Sequence, residues 1–168
     1  TPSLFSRNAR SDSEHVKVAI GSDHAGFALK EEVKRYLIAR GADVADQGTH
    51  TEDPADYPDA GAAVAGMVSS GRCPRGILVC GTGIGMSIVA NRFPGVRAAL
   101  CLDEETARMS RRHNDANVLV LAGRRTDPTA ARAIVAAWME TEFEGGRHAR
   151  RLEAIREIES RIPRNTGG

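Results

Sequence analysis

The stretch Cys80-Gly81-Thr82-Gly83-Ile84-Gly85 combines a thiol with a glycine-rich loop. Glycines have no side chain, so their backbone amides can surround an oxyanion, and a helix starting after the loop adds its dipole. The same dipole favours the thiolate, so Cys80 could remove a proton next to a carbonyl while the amides stabilise the enolate oxygen. The alternative is that Cys80 is a buried structural cysteine, as most single cysteines are.

The glycine-rich loop differs from the common nucleotide-binding signatures. Its third glycine, Gly85, comes one residue too early for the dinucleotide pattern G-x-G-x-x-G, and the lysine of a P-loop is absent. The loop also follows the third predicted strand, whereas the dinucleotide fingerprint follows the first. These differences argue against a dinucleotide cofactor.

Two further positions carry groups that could contact a ligand or move a proton. Asp23 and His24 follow the first predicted strand and could bind hydroxyl groups or phosphate. Asp23 could equally cap the next helix, and the two roles are compatible. His113 could transfer protons, because an imidazole can both donate and accept one, or it could serve as a partner for its helix end.

Arginines occur where a phosphate group could be bound. Arg124 and Arg125 lie in the loop after the fifth predicted strand, and Arg147 and Arg151 are four residues apart on one helical face. Two guanidinium groups on one face suit a phosphate dianion. The alternative is a solvated charged helix whose arginines pair with its own glutamates.

The elements that position these residues alternate along the chain. Apolar runs predict strands at Val16–Gly21, Asp43–Gln47, Gly76–Cys80, Val96–Leu100 and Asn117–Leu121. Periodicity and stop signals predict helices at Ala25–Arg40, Asp59–Ser70, Met86–Asn91, Asp103–Arg112, Pro128–Glu140 and Arg147–Ile162. Residues 50–58, with Tyr57, are predicted as a loop. The alternation indicates an α/β fold: a Rossmann-like three-layer α/β/α sandwich with a five-stranded parallel sheet and an extended C-terminal helix.

Length and composition limit the class of protein. The 168 residues predict one domain at 16–162, between a flexible extension (1–15) and a flexible tail (163–168). The net charge of +1 argues against nucleic acid, and no apolar run is long enough to cross a membrane. The three cysteines form no C-x-x-C pair, so we expect neither a disulfide framework nor a zinc site. Cysteines without a disulfide framework are typical of a reducing compartment, so we expect a cytoplasmic location.

Several motifs, in order along the chain, resemble the ribose-5-phosphate isomerase type B family, which includes the galactose-6-phosphate isomerase subunits. They span about Val16 to Ser160, and we identify them as Gly21–Gly26, Asp56–Pro58, Cys80–Gly85, Arg112–Asp115 and Glu144–Arg151. Each motif alone is weak, but five in the family's order are a strong signal. The resemblance implies a five-carbon aldose–ketose isomerase of the pentose phosphate pathway.

The resemblance also implies roles for individual residues. Cys80 would be the base that moves the proton between C1 and C2, because Met86 stands where some members place a glutamate base. His113 would help to open the sugar ring. Thr82 would orient the sugar, and the backbone amides of Gly81, Gly83 and Gly85 would bind the enediolate oxygen. Asp23 or Asn114 would bind the sugar hydroxyls, and Tyr57 would line the pocket. The phosphate would be bound by His24, Arg124, Arg147 and Arg151.

The family resemblance implies no metal and no organic cofactor. It implies a homodimer or homotetramer with sites built between subunits. Two alternatives stay open from the sequence: an isomerase of a six-carbon sugar 6-phosphate of the allose or galactose type, and a non-catalytic nucleotide-binding α/β module, since fold alone does not fix function.

Overall fold

The computed structural model describes residues 15–164, so the predictions for residues 1–14 and 165–168 lie outside it. Within this range five strands alternate with helices. The strands are β1 (Lys17–Ser22), β2 (Asp43–Asp46), β3 (Arg75–Cys80), β4 (Ala98–Leu100) and β5 (Val118–Ala122). The helices are α1 (Phe27–Ala39), α2 (Tyr57–Ser69), α3 (Ile84–Ala90), α4 (Glu104–Asn114), α5 (Pro128–Glu140) and α6 (Arg147–Arg161).

The strands form one parallel sheet in the order β2-β1-β3-β5-β4. The chain reverses its direction of travel across the sheet between β1 and β3. Ser22 pairs with Val79, so the carboxyl ends of these two strands lie side by side. Open α/β sheets bind ligands in the crevice at such a reversal, which makes the loops after β1 and β3 the first place to look for a site.

Helices cover both faces of the sheet, as predicted. One apolar cluster joins the sheet to α1, α4 and α5 and contains Leu37 and Trp138. The other joins it to α2 and α3 and contains Val64 and Met86. The central strand β3 is buried from Gly76 to Cys80, which explains its uninterrupted apolar sequence. In the range 15–164 no helix is both long and apolar enough to cross a bilayer.

Two element boundaries differ from the prediction and affect the candidate site. Tyr57 was predicted in a loop, but it is the first residue of α2, because Pro58 is compatible with the first turn of a helix. His113 and Asn114 were predicted beyond the fourth helix, but they are its last two residues. The helix ends only at Asp115, which adopts a left-handed conformation with φ of 45°.

Candidate active site

The loop after β1 holds Asp23 in a buried, hydrogen-bonded position. Its Oδ1 accepts a hydrogen bond of 2.9 Å from the amide of Gly26, just before α1. Asp23 is 8% exposed. Gly26 itself lies against β3, since a Cβ there would be 2.5 Å from the carbonyl oxygen of Val79. Asp23 thus holds the turn before α1 and does not cap the helix itself, because the N-cap residue is Gly26 and no side chain caps it. The carboxylate lies at the crevice between β1 and β3.

His24 and Tyr57 form one wall above the crevice. The exposed ring of His24 places Nδ1 at 3.1 Å from both the backbone nitrogen and the backbone oxygen of Ala55. This contact ties the loop after β1 to the segment that leads into α2. The ring of Tyr57 covers Gly85, where an added Cβ would lie 2.6 Å from Tyr57 Cζ. Gly85 is thus required for the close approach of the tyrosine.

The glycine-rich loop follows β3 directly, with Cys80 as the last residue of the strand. Cys80 is 4% exposed and free of any disulfide. Gly83 has φ of 76°, and a side chain there would collide with Leu100. The loop backbone can turn this way only with glycine. Thr82 is exposed, and its Oγ1 accepts a hydrogen bond of 3.3 Å from the amide of Ile84.

Arg124 brings a positive charge to the same edge of the sheet. Its backbone amide donates to the carbonyl of Gly81 at 3.0 Å, and the amide of Gly123 donates to the carbonyl of Cys80 at 2.8 Å. A Cβ on Gly81 would lie 3.1 Å from Arg124 Cζ, so the guanidinium lies directly over this glycine. No ion pair is formed by this guanidinium with residues 15–164, which leaves it available for an anion.

The structure therefore brings nine predicted residues to the carboxyl ends of the strands. We call this set the carboxyl-edge cluster: Asp23, His24, Tyr57, Cys80, Gly81, Thr82, Gly83, Gly85 and Arg124. Met86 does not belong to it. Its side chain is fully buried, with Sδ near the position that a Cβ on Gly61 would occupy, so it faces the packing between α2 and α3.

The other two cysteines lie outside the carboxyl-edge cluster. Cys73 precedes β3, and Cys101 follows β4. Burial raises the pKa of the Cys73 thiol, and it raises the pKa of Cys101 to about 11. Both shifts favour the protonated thiol, so neither cysteine is suited to act as a base.

The remaining predicted residues lie at the opposite edge of the sheet. Helix α4 starts after the carboxyl end of β4 and ends before the amino end of β5, so it carries His113 and Asn114 away from Cys80. The carbonyl of Asn114 accepts a hydrogen bond of 3.1 Å from Arg97 Nε, and Arg97 precedes β4. The position of Asn114 beside Arg97 confirms that this end of α4 lies at the amino edge.

Helix α6 starts beside the end of α4. The amide of Glu144 donates to the carbonyl of Arg112 at 3.1 Å. The rings of His113 and His148 are stacked, with centroids 4.3 Å apart and planes inclined by 14°. We call His113, Asn114, Arg147 and Arg151 the amino-edge cluster.

The arginines of the amino-edge cluster are exposed on α6 and lack the glutamate pairs that the solvated-helix alternative assigns to them. In that alternative they would pair with glutamates on the same helix. Glu153 instead pairs with Arg156 at 2.7 Å, and Glu157 accepts from Arg161 through its backbone oxygen. Within the described part of the chain neither Arg147 nor Arg151 forms an ion pair.

Sequence reasoning did not select His148 as a site residue. It is 6% exposed and lies against His113. Desolvation lowers the pKa of His148, and the nearby His113 and Arg147 lower it further. The available signal was its position next to Arg147 at a helix start, but only the fold shows that this turn meets the end of α4.

The two clusters do not meet within one chain. Helix α4 has 11 residues, so at a rise of 1.5 Å per residue it separates them by about 16 Å. One copy of the chain thus presents the thiol and the glycine-rich loop at one edge, and two histidines and two arginines at the other.

Comparison with known proteins identifies a family whose sequences match this chain. The model of the Ribose/Galactose Isomerase family matches residues 18–155. The chain is 47% identical over 145 residues to ribose-5-phosphate isomerase B of Escherichia coli, covering 86% of this chain and 97% of that one. It is 42% identical over 144 residues to D-erythrulose-4-phosphate isomerase of Pectobacterium atrosepticum, covering 83% and 93%.

Solved structures give the same result for the fold. The structure of ribose-5-phosphate isomerase B from Clostridium thermocellum is similar to this chain with a TM-score of 0.84 and 53% identity. The similarity covers 86% of this chain and 97% of that one. The parallel sheet and its helices are therefore an arrangement that this chain shares with known sugar-phosphate isomerases.

Proposed function

The chain belongs to the Ribose/Galactose Isomerase family, and on this premise we propose that it interconverts ribose 5-phosphate and ribulose 5-phosphate. The observation that carries the proposal is Cys80 at the carboxyl end of β3, directly before a glycine loop whose conformation excludes side chains. Arg124 and His24 at the same edge support a phosphorylated substrate, because both can donate hydrogen bonds to an anion.

The chemistry requires one base and one set of donors for an oxyanion. In the open-chain aldose, Cys80 thiolate removes the proton from C2, which leaves a cis-enediolate. The amides of the glycine loop stabilise the negative oxygen as it forms. The proton is then delivered to C1, while the proton on O2 moves to O1 and C2 becomes the carbonyl. No electrons are gained or lost overall, so the reaction needs no oxidant or reductant.

We further propose that a second copy of the chain completes the site. Ring opening requires a proton donor and acceptor within about 3 Å of the sugar, and His113 of the same chain lies too far from Cys80. His113, Asn114, Arg147 and Arg151 of the partner subunit would supply ring opening, hydroxyl contacts and phosphate binding. In this arrangement the two exposed arginines bind the phosphate of the substrate in the neighbouring subunit's site.

The surface of α6 supports this assembly. Ile155, Ile158 and Ile162 are each more than half exposed. They line a groove of about 500 Å³ between α6 and the edge strand β4. Apolar side chains grouped at a groove are typical of protein contacts. A homodimer, or a tetramer built from such dimers, would cover them.

The relatives of this chain are named for sugars of different lengths. The relative from Pectobacterium atrosepticum is named for a four-carbon substrate, and the family description includes galactose. We favour the five-carbon sugar because Cys80, His113, Arg147 and Arg151 all occur in one chain and the most identical relatives compared above are ribose-5-phosphate isomerases. Three free, buried cysteines support action in the reducing cytoplasm.

The test is conversion of ribose 5-phosphate to ribulose 5-phosphate by the purified full chain. Cys80→Ala should abolish turnover, and Cys73→Ala, a matched change at another buried cysteine, should leave it near the parental value. Turnover by Cys80→Ala would reject the cysteine as the base. If the parent does not convert this sugar, erythrulose 4-phosphate, allose 6-phosphate and galactose 6-phosphate are tested in the same way, and failure on all of them would reject the isomerase.

A further inference from the structure

Helix α6 buries few of its own side chains, although it carries the arginines of the amino-edge cluster. Among its residues only His148 and Leu152 are buried. The loop at 141–146 that leads into the helix ends in two glycines with φ of 71° and 56°. Glycine gives the backbone before the helix wide conformational freedom. The position of Arg147 at the helix start therefore depends on the contacts that hold this loop.

The beginning of the loop is bound by Arg111, a side chain of α4 that is 3% exposed. Its Nε donates a hydrogen bond of 3.2 Å to the carbonyl of Thr141, the residue that ends α5. Its Nη1 donates to Asp115 Oδ1 at 2.8 Å and to the carbonyl of Ala116 at 2.7 Å. One buried guanidinium thus joins the end of α4, the segment before β5 and the loop that leads into α6.

We propose that Arg111 is a positioning residue of the isomerase, which fixes the phosphate-binding start of α6 relative to His113. The proposal rests on the proposed function. Arg111 is buried, so it acts through α6 and does not itself contact the sugar. A guanidinium presents its N–H groups in a rigid planar fork, which sets the direction of each hydrogen bond as well as its length.

The other contacts between α4 and the loop are weaker than those of Arg111. Arg112 Nε lies 4.0 Å from Glu144 Oε1, and both side chains are about half exposed, so water and salt screen this ion pair. The amide of Glu144 also donates to the carbonyl of Arg112 at 3.1 Å. This bond joins two neutral groups, and hydrogen bonds from a charged donor are stronger. Loss of the Arg111 side chain should therefore leave α6 attached but allow its start to shift.

Arg75 offers a matched control, because its surroundings resemble those of Arg111. Both guanidinium groups lie over the buried ring of Trp138, with Cζ at 5.3 Å from the ring centroid for Arg75 and 5.9 Å for Arg111. Arg75 Nη1 also donates to the carbonyl of Ala116, at 3.4 Å. Within the described residues it forms no hydrogen bond with the loop at 141–146. A variant at this position thus removes a similar group without releasing α6.

The kinetic test compares Arg111→Met with Arg75→Met, since both changes replace a guanidinium by an unbranched apolar side chain. Arg111→Met should raise KM for ribose 5-phosphate about 10-fold, because a misplacement of about 1 Å can cost up to about 100-fold. Its kcat should change less than KM, since a phosphate contact is made in the ground state as well as in the transition state. Arg75→Met should keep both parental values. A parental KM for Arg111→Met, or equal effects of the two variants, would overturn the proposal.

A second test needs no catalytic activity. NMR titration of the chain with ¹³C-labelled histidine measures the pKa of His148, which desolvation lowers from 6.5. The charged groups that face His148 are His113, Arg147 and Arg151, which lower its pKa further, and Glu144, which raises it. In Arg111→Met the imidazole should lose packing against α4, so its pKa should rise towards 6.5. Arg75→Met should leave this pKa unchanged, and a parental pKa in Arg111→Met would overturn the proposal.

A melting curve of each variant shows whether it is folded at the assay temperature. Arg111→Lys takes the place of Arg111→Met if the latter does not fold. Its ammonium keeps a positive charge beside Asp115 but lacks the second arm of the fork that reaches Thr141, so the same rises in KM and pKa are expected. If the parent converts no sugar phosphate, the proposed function fails. The NMR titration then decides by itself whether Arg111 holds the start of α6.

Discussion

Two inactive variants should regain activity when their chains are combined, if the active site is shared between copies. Cys80→Ala damages the carboxyl-edge cluster, and His113→Asn damages the amino-edge cluster. These residues are separated by the length of α4, about 16 Å. A proton-transfer group must lie within about 3 Å of the atom it serves, so the two side chains of one chain cannot act on one sugar. In a mixed dimer, however, one of the two sites receives both intact residues.

The size of the recovered activity follows from counting sites. Random pairing of equal amounts of the two chains gives about half mixed dimers, and each of these has one intact site of two. The mixture should therefore reach about one quarter of the parental activity per chain. A dimer of dimers gives the same fraction, because each site still needs only two chains.

The assay uses the two variants co-expressed with different affinity tags and purified through both tags in turn. If the assembly is a dimer, the doubly purified sample should have about half of the parental activity, since every dimer is then mixed. A dimer of dimers should give about two sevenths, because tetramers that carry both tags still include some unmixed dimers. Cys80→Ala combined with Cys80→Ser is the control, because both lesions lie in the same cluster and no intact site can form. Absence of activity in a mixed dimer that contains both tagged chains would refute the shared site.

The remaining predictions concern stability and substrate binding. Asp46→Asn should lower the free energy of unfolding by about 2 kcal/mol, measured with denaturant, because it removes one of the two carboxylates, Asp46 and Glu31, that pair with the fully buried Lys30 ammonium. In the parent, hydrogen bonds from Lys34, Lys30 and a backbone amide outweigh desolvation and lower the pKa of Asp46 to about 2 from 3.8, so its stabilisation is present above pH 4 and is lost as the pH falls towards 2. Gly83→Ala should destabilise the chain by about 1–3 kcal/mol and lower kcat, since the left-handed backbone resists a Cβ; an unchanged kcat would show that the loop conformation is not needed for turnover. Arg151→Ala should raise KM for ribose 5-phosphate about 10- to 100-fold through loss of a charge-assisted contact, and a KM equal to the parental value would assign this side chain to solvent.

Much of the fold was predictable because local signals agreed with the global arrangement. The apolar run before Cys80 predicted a buried strand, and the alternation with helical segments predicted a parallel sheet. The exceptions are local. Pro58 marked a loop in the sequence, yet proline is also compatible with a first helical turn, so α2 starts at Tyr57. The charged end of α4 carried no stop signal, and its true end depends on Asp115 in a left-handed conformation.

The candidate site was predictable as a set of residues but not as an arrangement in space. The loops after β1 and β3 were predicted to lie at one edge, and the structure places Asp23 and Cys80 there. The sequence contains no measure of strand order, so the adjacency of β1 and β3 could not be derived from it. The stacking of His148 on His113 was also inaccessible, because it joins the ends of two helices that no local pattern connects.

The division of the site follows from the direction in which helices return in a parallel sheet. Each connecting helix starts at the carboxyl edge and ends at the amino edge, so residues at its end are separated from residues at the strand ends by the helix length. Cys80 ends a strand, whereas His113 ends a helix, and no change of loop conformation can bring them together. A chain that uses both in one reaction must therefore place its amino edge against the carboxyl edge of another copy. The same argument predicts that any residue at the start of α6, including Arg147, acts on the neighbouring copy's substrate and never on its own.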